Sequence, residues 1–245
     1  MSKTDLREKF LEVAISNKAY TTRQKLENHL GYMFADVPLA GKQMLDIGGG
    51  TGLLTLWGAA QGARAVCLEP ESDGSTQDVR KVFENLKSQI SPDLKAEMFP
   101  DTAQDYLART NESFDVIVMA NCINHLDEES CKILHKDEEA RRKYIEFFRV
   151  LKAHLNPGGM VISTDCGRRN IFGDLGMRSP IVPNIDWDVH QGPRFWGQLM
   201  EQAGMRVVRT QWTTPNSWGR WGQALFGNPI AAYFLFSHFR LVTAA

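Results

Sequence analysis

Charge of one sign is missing from this chain: across 245 residues, 28 Lys and Arg face 29 Asp and Glu, for a formal net charge of -1. No whole-protein field gathers a phosphate backbone, so the expected partner is a small molecule rather than nucleic acid. Long hydrophobic runs are missing too. The longest apolar stretches, such as 114–120 and 230–236, fall far short of the roughly 18 residues a membrane span needs. The start, Met1-Ser-Lys-Thr-Asp-Leu-Arg7, has no apolar core of a signal peptide, and the expected location is the cytoplasm. Cysteine is sparse: Cys67, Cys122, Cys131 and Cys166 include no Cys-x-x-Cys pair, which excludes a disulfide scaffold and leaves reduced thiols. Tryptophan is scarce until late. Of six, only Trp57 lies in the first three quarters, while Trp187, Trp196, Trp212, Trp218 and Trp221 crowd into 35 residues.

What is present is a clean alternation. Leu6, Phe10 and Val13, then Leu26, Leu30 and Met33, recur at helical spacing and predict two amphipathic helices forming a lid before the first strand, the second opened by Thr21 or Thr22. From Lys42 the pattern becomes strand 43–47, a glycine turn, helix 53–61 and strand 64–69. A helix from a Ser72 cap to Ile90, strand 94–99, a short helix 103–108 and strand 114–120 follow. Next come a helix carrying Tyr144, Phe147, Leu151 and Leu155, an Asn156-Pro-Gly-Gly turn and strand 160–164. Strands alternating with helices predict an α/β fold with a parallel sheet and crossover helices. Residues 166–192 show no period and are too long for a plain connector, so they are expected to cap the site. Helix 193–202 ending at Gly204, strand 205–212, an irregular stretch to Pro229 and strand 231–241 complete the expectation. The chain is read as one domain: lid 1–37, core 38–165, cap 166–192 and C-terminal elements 193–245.

The most informative segment is Met44-Leu-Asp-Ile-Gly-Gly-Gly-Thr-Gly52. Glycines directly after a buried strand let the backbone turn sharply and approach a ligand where a Cβ would collide. A dinucleotide fingerprint G-x-G-x-x-G does not fit, because Leu53 and Thr55 stand where its last glycine would be, which counts against a nicotinamide-dependent oxidoreductase. Glu69 ends the second strand beside that turn, where a carboxylate accepts both ribose hydroxyl protons. With no basic residue in the turn for a pyrophosphate, the ligand reads as an adenosine without phosphates.

Leu45-Asp-Ile-Gly-Gly-Gly-Thr-Gly52, Val66-Cys-Leu-Glu-Pro70, Phe114-Asp-Val-Ile-Val-Met-Ala-Asn121 and Leu151-Lys-Ala-His-Leu-Asn-Pro-Gly-Gly159 together resemble the successive motifs of class I S-adenosylmethionine-dependent methyltransferases. The resemblance covers about residues 40–165. It implies a Rossmann-like, doubly wound seven-stranded sheet in the order 3-2-1-4-5-7-6, with the last strand antiparallel, and S-adenosyl-L-methionine as cofactor with S-adenosyl-L-homocysteine as product. Carried over by position, it implies that Asp46 orients the turn and reaches the methionine amino group. Gly48, Gly49 and Gly50 would pass under the cofactor, Glu69 would take the ribose, Asp101 or Thr102 the adenine edge, and Asn121 the methionine part through its backbone. The fourth motif does not read Asp/Asn-Pro-Pro-Tyr, the pattern resembling enzymes that methylate exocyclic amines, so nucleic-acid acceptors recede further.

Methyl transfer from a sulfonium is an in-line displacement, and a base is needed only when the acceptor arrives protonated. His125, just after the fourth strand, is the candidate base, with packing or capping of the next helix as its other reading. Asp165, at the end of the fifth strand, either orients His125 or the substrate, or closes a turn. Cys122, His125, Cys131 and His135 lack the pair-and-pair spacing of zinc ligands, and no metal is expected. In the aperiodic segment and the helix after it, Trp187, His190, Trp196 and Arg168 are candidate substrate contacts: aromatics for a planar or hydrophobic acceptor, Arg for an anionic group on it. Core packing is the competing reading for each Trp. The expected function is methylation of an oxygen or nitrogen, or of a carbon on an activated ring, of a small molecule. The alternative is an S-adenosylmethionine-binding protein that modifies the cofactor or regulates without methyl transfer.

Overall fold

Strand Gln43–Ile47 (β1) is buried along nearly its whole length, as a strand covered by helices on both faces must be. In the computed structural model, which describes residues 2–70 and 78–245, it sits mid-sheet. The preceding helices are Lys3–Ser16 (α1) and Arg23–Met33 (α2). Then follow Leu53–Ala60 (α3), Arg64–Leu68 (β2), Val79–Ile90 (α4), Ala96–Phe99 (β3), Ala103–Arg109 (α5) and Phe114–Ala120 (β4). Glu128–Ile133 (α6), Glu138–Ala153 (α7), Leu155–Cys166 (β5), Ile171–Asp174 (α8), Pro193–Gln202 (α9) and Arg206–Trp212 (β6) continue the chain. It ends with Gly219–Phe226 (α10), Pro229–Phe234 (α11) and His238–Ala244 (β7). The expected Ser72 cap lies outside the described residues.

The seven strands are ordered β3-β2-β1-β4-β5-β7-β6, as the motifs implied. β1 pairs in parallel with β2 and β4, and β2 with β3, while β7 runs antiparallel to both β5 and β6. By contact the chain divides into two compact units, residues 1–119 and 120–245.

In the first unit, Ser2 and Asp5 form a capping box on α1, and the Thr22 hydroxyl caps α2 by accepting from Lys25 N at 3.3 Å. The helices expected as a lid are seated by core contacts. α1 packs on α3 and α4, and its Phe10 ring lies 5.2 Å from Trp57.

In the second unit, α7 and α9 pack together around the fully buried Trp196, whose ring lies 5.1 Å from that of Tyr144 and 6.2 Å from that of Phe148. Three expectations change here. The Asn156-Pro-Gly-Gly segment belongs to β5, although pairing with β7 begins at Met160; Gly158, at φ +76°, takes the left-handed bend that lets the backbone pass into the sheet. The aperiodic 166–192 contains α8 and a 3₁₀ turn at Trp187–Val189. Residues 231–234, expected as strand, form the end of α11, because Asn228 caps Ala231 N at 3.0 Å and Pro229 opens the helix, outweighing the β-preference of the aromatic run. The final strand therefore starts at His238.

Among the described residues, no helix is long and apolar enough to cross a membrane.

Candidate active site

The glycine turn leaves β1 with its amides already engaged. Gly48 N donates to Leu68 O at 2.8 Å and Gly50 N to Glu69 Oε2 at 2.8 Å, so the end of β2 fixes the turn. A Cβ on Gly49 would stand 2.6 Å from Cys67 Sγ and 2.8 Å from Asp46 Oδ2, too close for any other residue without a shift of both neighbours. Beneath the turn Asp46 is fully buried. Its Oδ2 accepts from the Thr55 hydroxyl on α3 at 2.7 Å, while its Oδ1 has no partner. Burial pushes the Asp46 carboxyl up to about 7, the Thr55 bond opposes this, and the nearby Glu69 charge adds to it. Thr55, nine residues on, was not singled out in the sequence; a threonine in the first turn of an otherwise apolar helix, beside a buried acid, is the signal that marks it.

The other expected cofactor residues are engaged locally. Asp101 pairs with Arg109, and the Thr102 hydroxyl caps α5 by accepting from Asp105 N at 3.1 Å. Asn121 takes a left-handed conformation, φ +55°, donates its N–H to Thr164 O at 2.8 Å, and holds its Oδ1 2.8 Å from His238 Nε2. Its backbone amide is therefore used by the sheet.

In the second unit, residues 166–190 leave the end of β5 and return to it. Asp165, almost completely buried, accepts from His190 Nδ1 at 2.9 Å and from Cys166 N at 2.8 Å, leaving Oδ2 without a partner. Desolvation raises the Asp165 carboxyl, and the bond to His190 works against it. Arg168 closes the excursion two residues further in, with Nη1 on Asp188 O at 3.0 Å and Nη2 on Asp188 Oδ1 at 2.7 Å. Both neighbours of His190 are tied to one cysteine: Cys131 Sγ donates to Val189 O at 3.1 Å, and Gln191 Nε2 donates to Cys131 O at 2.9 Å. His190 thus hangs between two anchored residues. With Nδ1–H on the carboxylate, Nε2 is the acceptor nitrogen, and among the described residues no partner occupies it.

A family description, methyltransferase domain, matches residues 20–210. The chain belongs to the class I S-adenosylmethionine-dependent methyltransferases. Solved structures share the fold. A SAM-dependent methyltransferase from Archaeoglobus fulgidus superposes with a TM-score of 0.58 at 14% identity, over 94% of this chain and 98% of that one. The mitomycin 7-O-methyltransferase MmcR gives 0.56 at 15%, over 100% of this chain and 60% of that one. The pyocyanin biosynthetic protein PhzM gives 0.50 at 18%, over 87% of this chain and 54% of that one. The chain thus spans little more than half the length of PhzM and MmcR.

The methyltransferase cofactor suits the residues present. An orphaned carboxylate oxygen on the buried Asp46 calls for a cation, which the methionine amino group of S-adenosylmethionine carries, and the bare backbone at Gly49 admits no side chain beneath it. Among the described residues Glu69 Oε1 also has no partner, and a ribose hydroxyl is the matching donor.

Several of the expected site residues have local partners of their own. His125 is largely exposed and pairs with Glu128 in the first turn of α6, while Asp127 caps that helix. Asp165 bonds to His190, not to His125. Trp196, on α9, buries its whole ring against Tyr144 and Phe148 of α7, the packing expected of a core residue. Arg168 commits its guanidinium to Asp188. Trp187 is half-buried against α8, where a Cβ on Gly173 would meet its ring at 2.7 Å. Cys131 and Gln191, which hold His190, carried no sequence signal as a pair: they lie 60 residues apart and meet only when the excursion closes.

Proposed function

We propose that the chain transfers a methyl group from S-adenosylmethionine to an oxygen or nitrogen of a small, planar or hydrophobic molecule, with His190 as general base and Asp165 as its orienting partner. One observation carries this reading. A buried aspartate holds Nδ1 of a half-buried histidine at 2.9 Å, which leaves Nε2 to accept a proton. Asp46, Glu69 and the turn Gly48 to Gly50 are proposed to bind the cofactor, which supplies an electrophilic methyl group on sulfur. The chain's own residues do the rest. His190 Nε2 removes the O–H or N–H proton of the acceptor as the new bond forms, and Asp165 stabilises the resulting imidazolium without taking its proton. The excursion 166–190, with Trp187 and the exposed Leu175 and Met177, offers aromatic and aliphatic surface for a hydrophobic acceptor.

The test is incubation with methyl-labelled S-adenosylmethionine and fractionated small metabolites, read by mass spectrometry. Label should pass to a small molecule in the presence of the wild type and drop by about 10²-fold or more with His190→Gln. Binding of S-adenosylhomocysteine with no label transferred to any fraction would instead favour a protein that binds the cofactor without methylating.

A further inference from the structure

We infer that α10 and α11 form the contact face of a homodimer, the partner being a second copy of this chain. Large apolar side chains stand in water along both helices: Trp221 is 82% exposed, Ile230 74%, Leu225 67% and Phe234 54%, with Trp218 and Phe226 at nearly half. The spacing makes stripes of them. Trp218, Trp221 and Leu225 recur at i, i+3 and i+7, and Ile230 and Phe234 at i and i+4. The inward contacts are already made by other residues. Gln223 donates to Trp212 O at 2.5 Å, and Gly222 and Ala232 are buried. The stripes are therefore surplus to the fold of this unit.

Area and charge select the occupant. At about 200 Å² for each large side chain, the six expose roughly 730 Å², above the largest apolar patch of an ordinary monomer and close to the ~800 Å² that each partner of a stable complex buries. Between residues 213 and 237 the only charged residue is Arg220. A bilayer-surface helix carries a Lys- and Arg-rich polar face, which this segment lacks. A charge-poor patch is self-complementary, as a two-fold interface requires, because two copies meet with no like charges opposed.

Sedimentation velocity of the full chain at micromolar concentration tests this. The wild type should sediment as a dimer. Trp221→Glu with Leu225→Lys should weaken association by roughly 30-fold or more, the scale of an interface hot spot, with the melting transition and S-adenosylhomocysteine binding unchanged. Should that pair fail to melt cooperatively, Trp221→Gln with Leu225→Gln serves in its place. A monomeric wild type overturns the proposal, as does a dimer indifferent to these substitutions. A monomer that pellets with vesicles of phosphatidylcholine and phosphatidylglycerol overturns it in favour of a lipid surface.

Discussion

A carboxyl group buried with only one oxygen bonded, as Asp46 is, keeps its proton up to about pH 7, whereas in the unfolded chain it loses it near 3.8. Between those values the folded state holds the extra proton, so stability of the cofactor-free protein falls as pH rises from about 4 towards 7, by up to a few kcal/mol. Thermal melts between pH 5 and 8 should show this slope, and Asp46→Asn, which keeps an acceptor for Thr55, should flatten it. A cation bound at Oδ1 favours the carboxylate, so cofactor binding below pH 7 should release a proton. Titration calorimetry in buffers of different ionisation enthalpy reads that proton directly. Gly49→Ala forces a methyl against Cys67 Sγ and Asp46, and should weaken S-adenosylhomocysteine binding at least about tenfold while the rest of the fold melts cooperatively. Asp46 and the glycines were legible in the sequence because a strand and a tight turn place them locally. The partnership of Asp165 with His190 was not, because it joins residues 25 apart across an aperiodic segment.

At the scale of elements, the excursion 166–190 works as a closed loop, fastened by Arg168 to Asp188 at its neck and by Cys131 on either side of His190. Removing the neck should loosen the histidine without touching the cofactor turn. Arg168→Ala is expected to lower kcat by about tenfold at unchanged S-adenosylhomocysteine affinity, with partial recovery in Arg168→Lys, which restores the charge but not both hydrogen bonds. Equal loss in the Ala and Lys variants would argue that both bonds are needed, and no loss in either would remove the clamp from the account. Helices with strong caps were readable: Thr22 opens α2 and Pro193 opens α9 as expected. α10 and α11 were not. Aromatic and β-branched residues after Pro229 look like a strand, and only the Asn228 cap with Pro229 at the first helical position betrays the helix.

For the whole molecule, the sheet order was legible only through the family resemblance that four ordered motifs carry; β6, which has no fully buried residue, and the four-residue β3 would not have been placed by burial pattern alone. The late tryptophans divide by environment rather than by a shared role. Trp196 is core, Trp187 packs on α8, Trp212 stacks edge-on to Phe239 at 6.0 Å, and Trp218 and Trp221 face solvent on the proposed dimer surface. The histidine returned by the excursion, not the one following β4, is proposed to take the acceptor's proton. Single-turnover methyl transfer by His190→Gln and His125→Ala, measured side by side with the wild type on the same acceptor at saturating S-adenosylmethionine, tests it most directly. His190→Gln should lose about 10²-fold or more, and His125→Ala should stay within about threefold of the wild type. A collapse in His125→Ala with His190→Gln unaffected would contradict it.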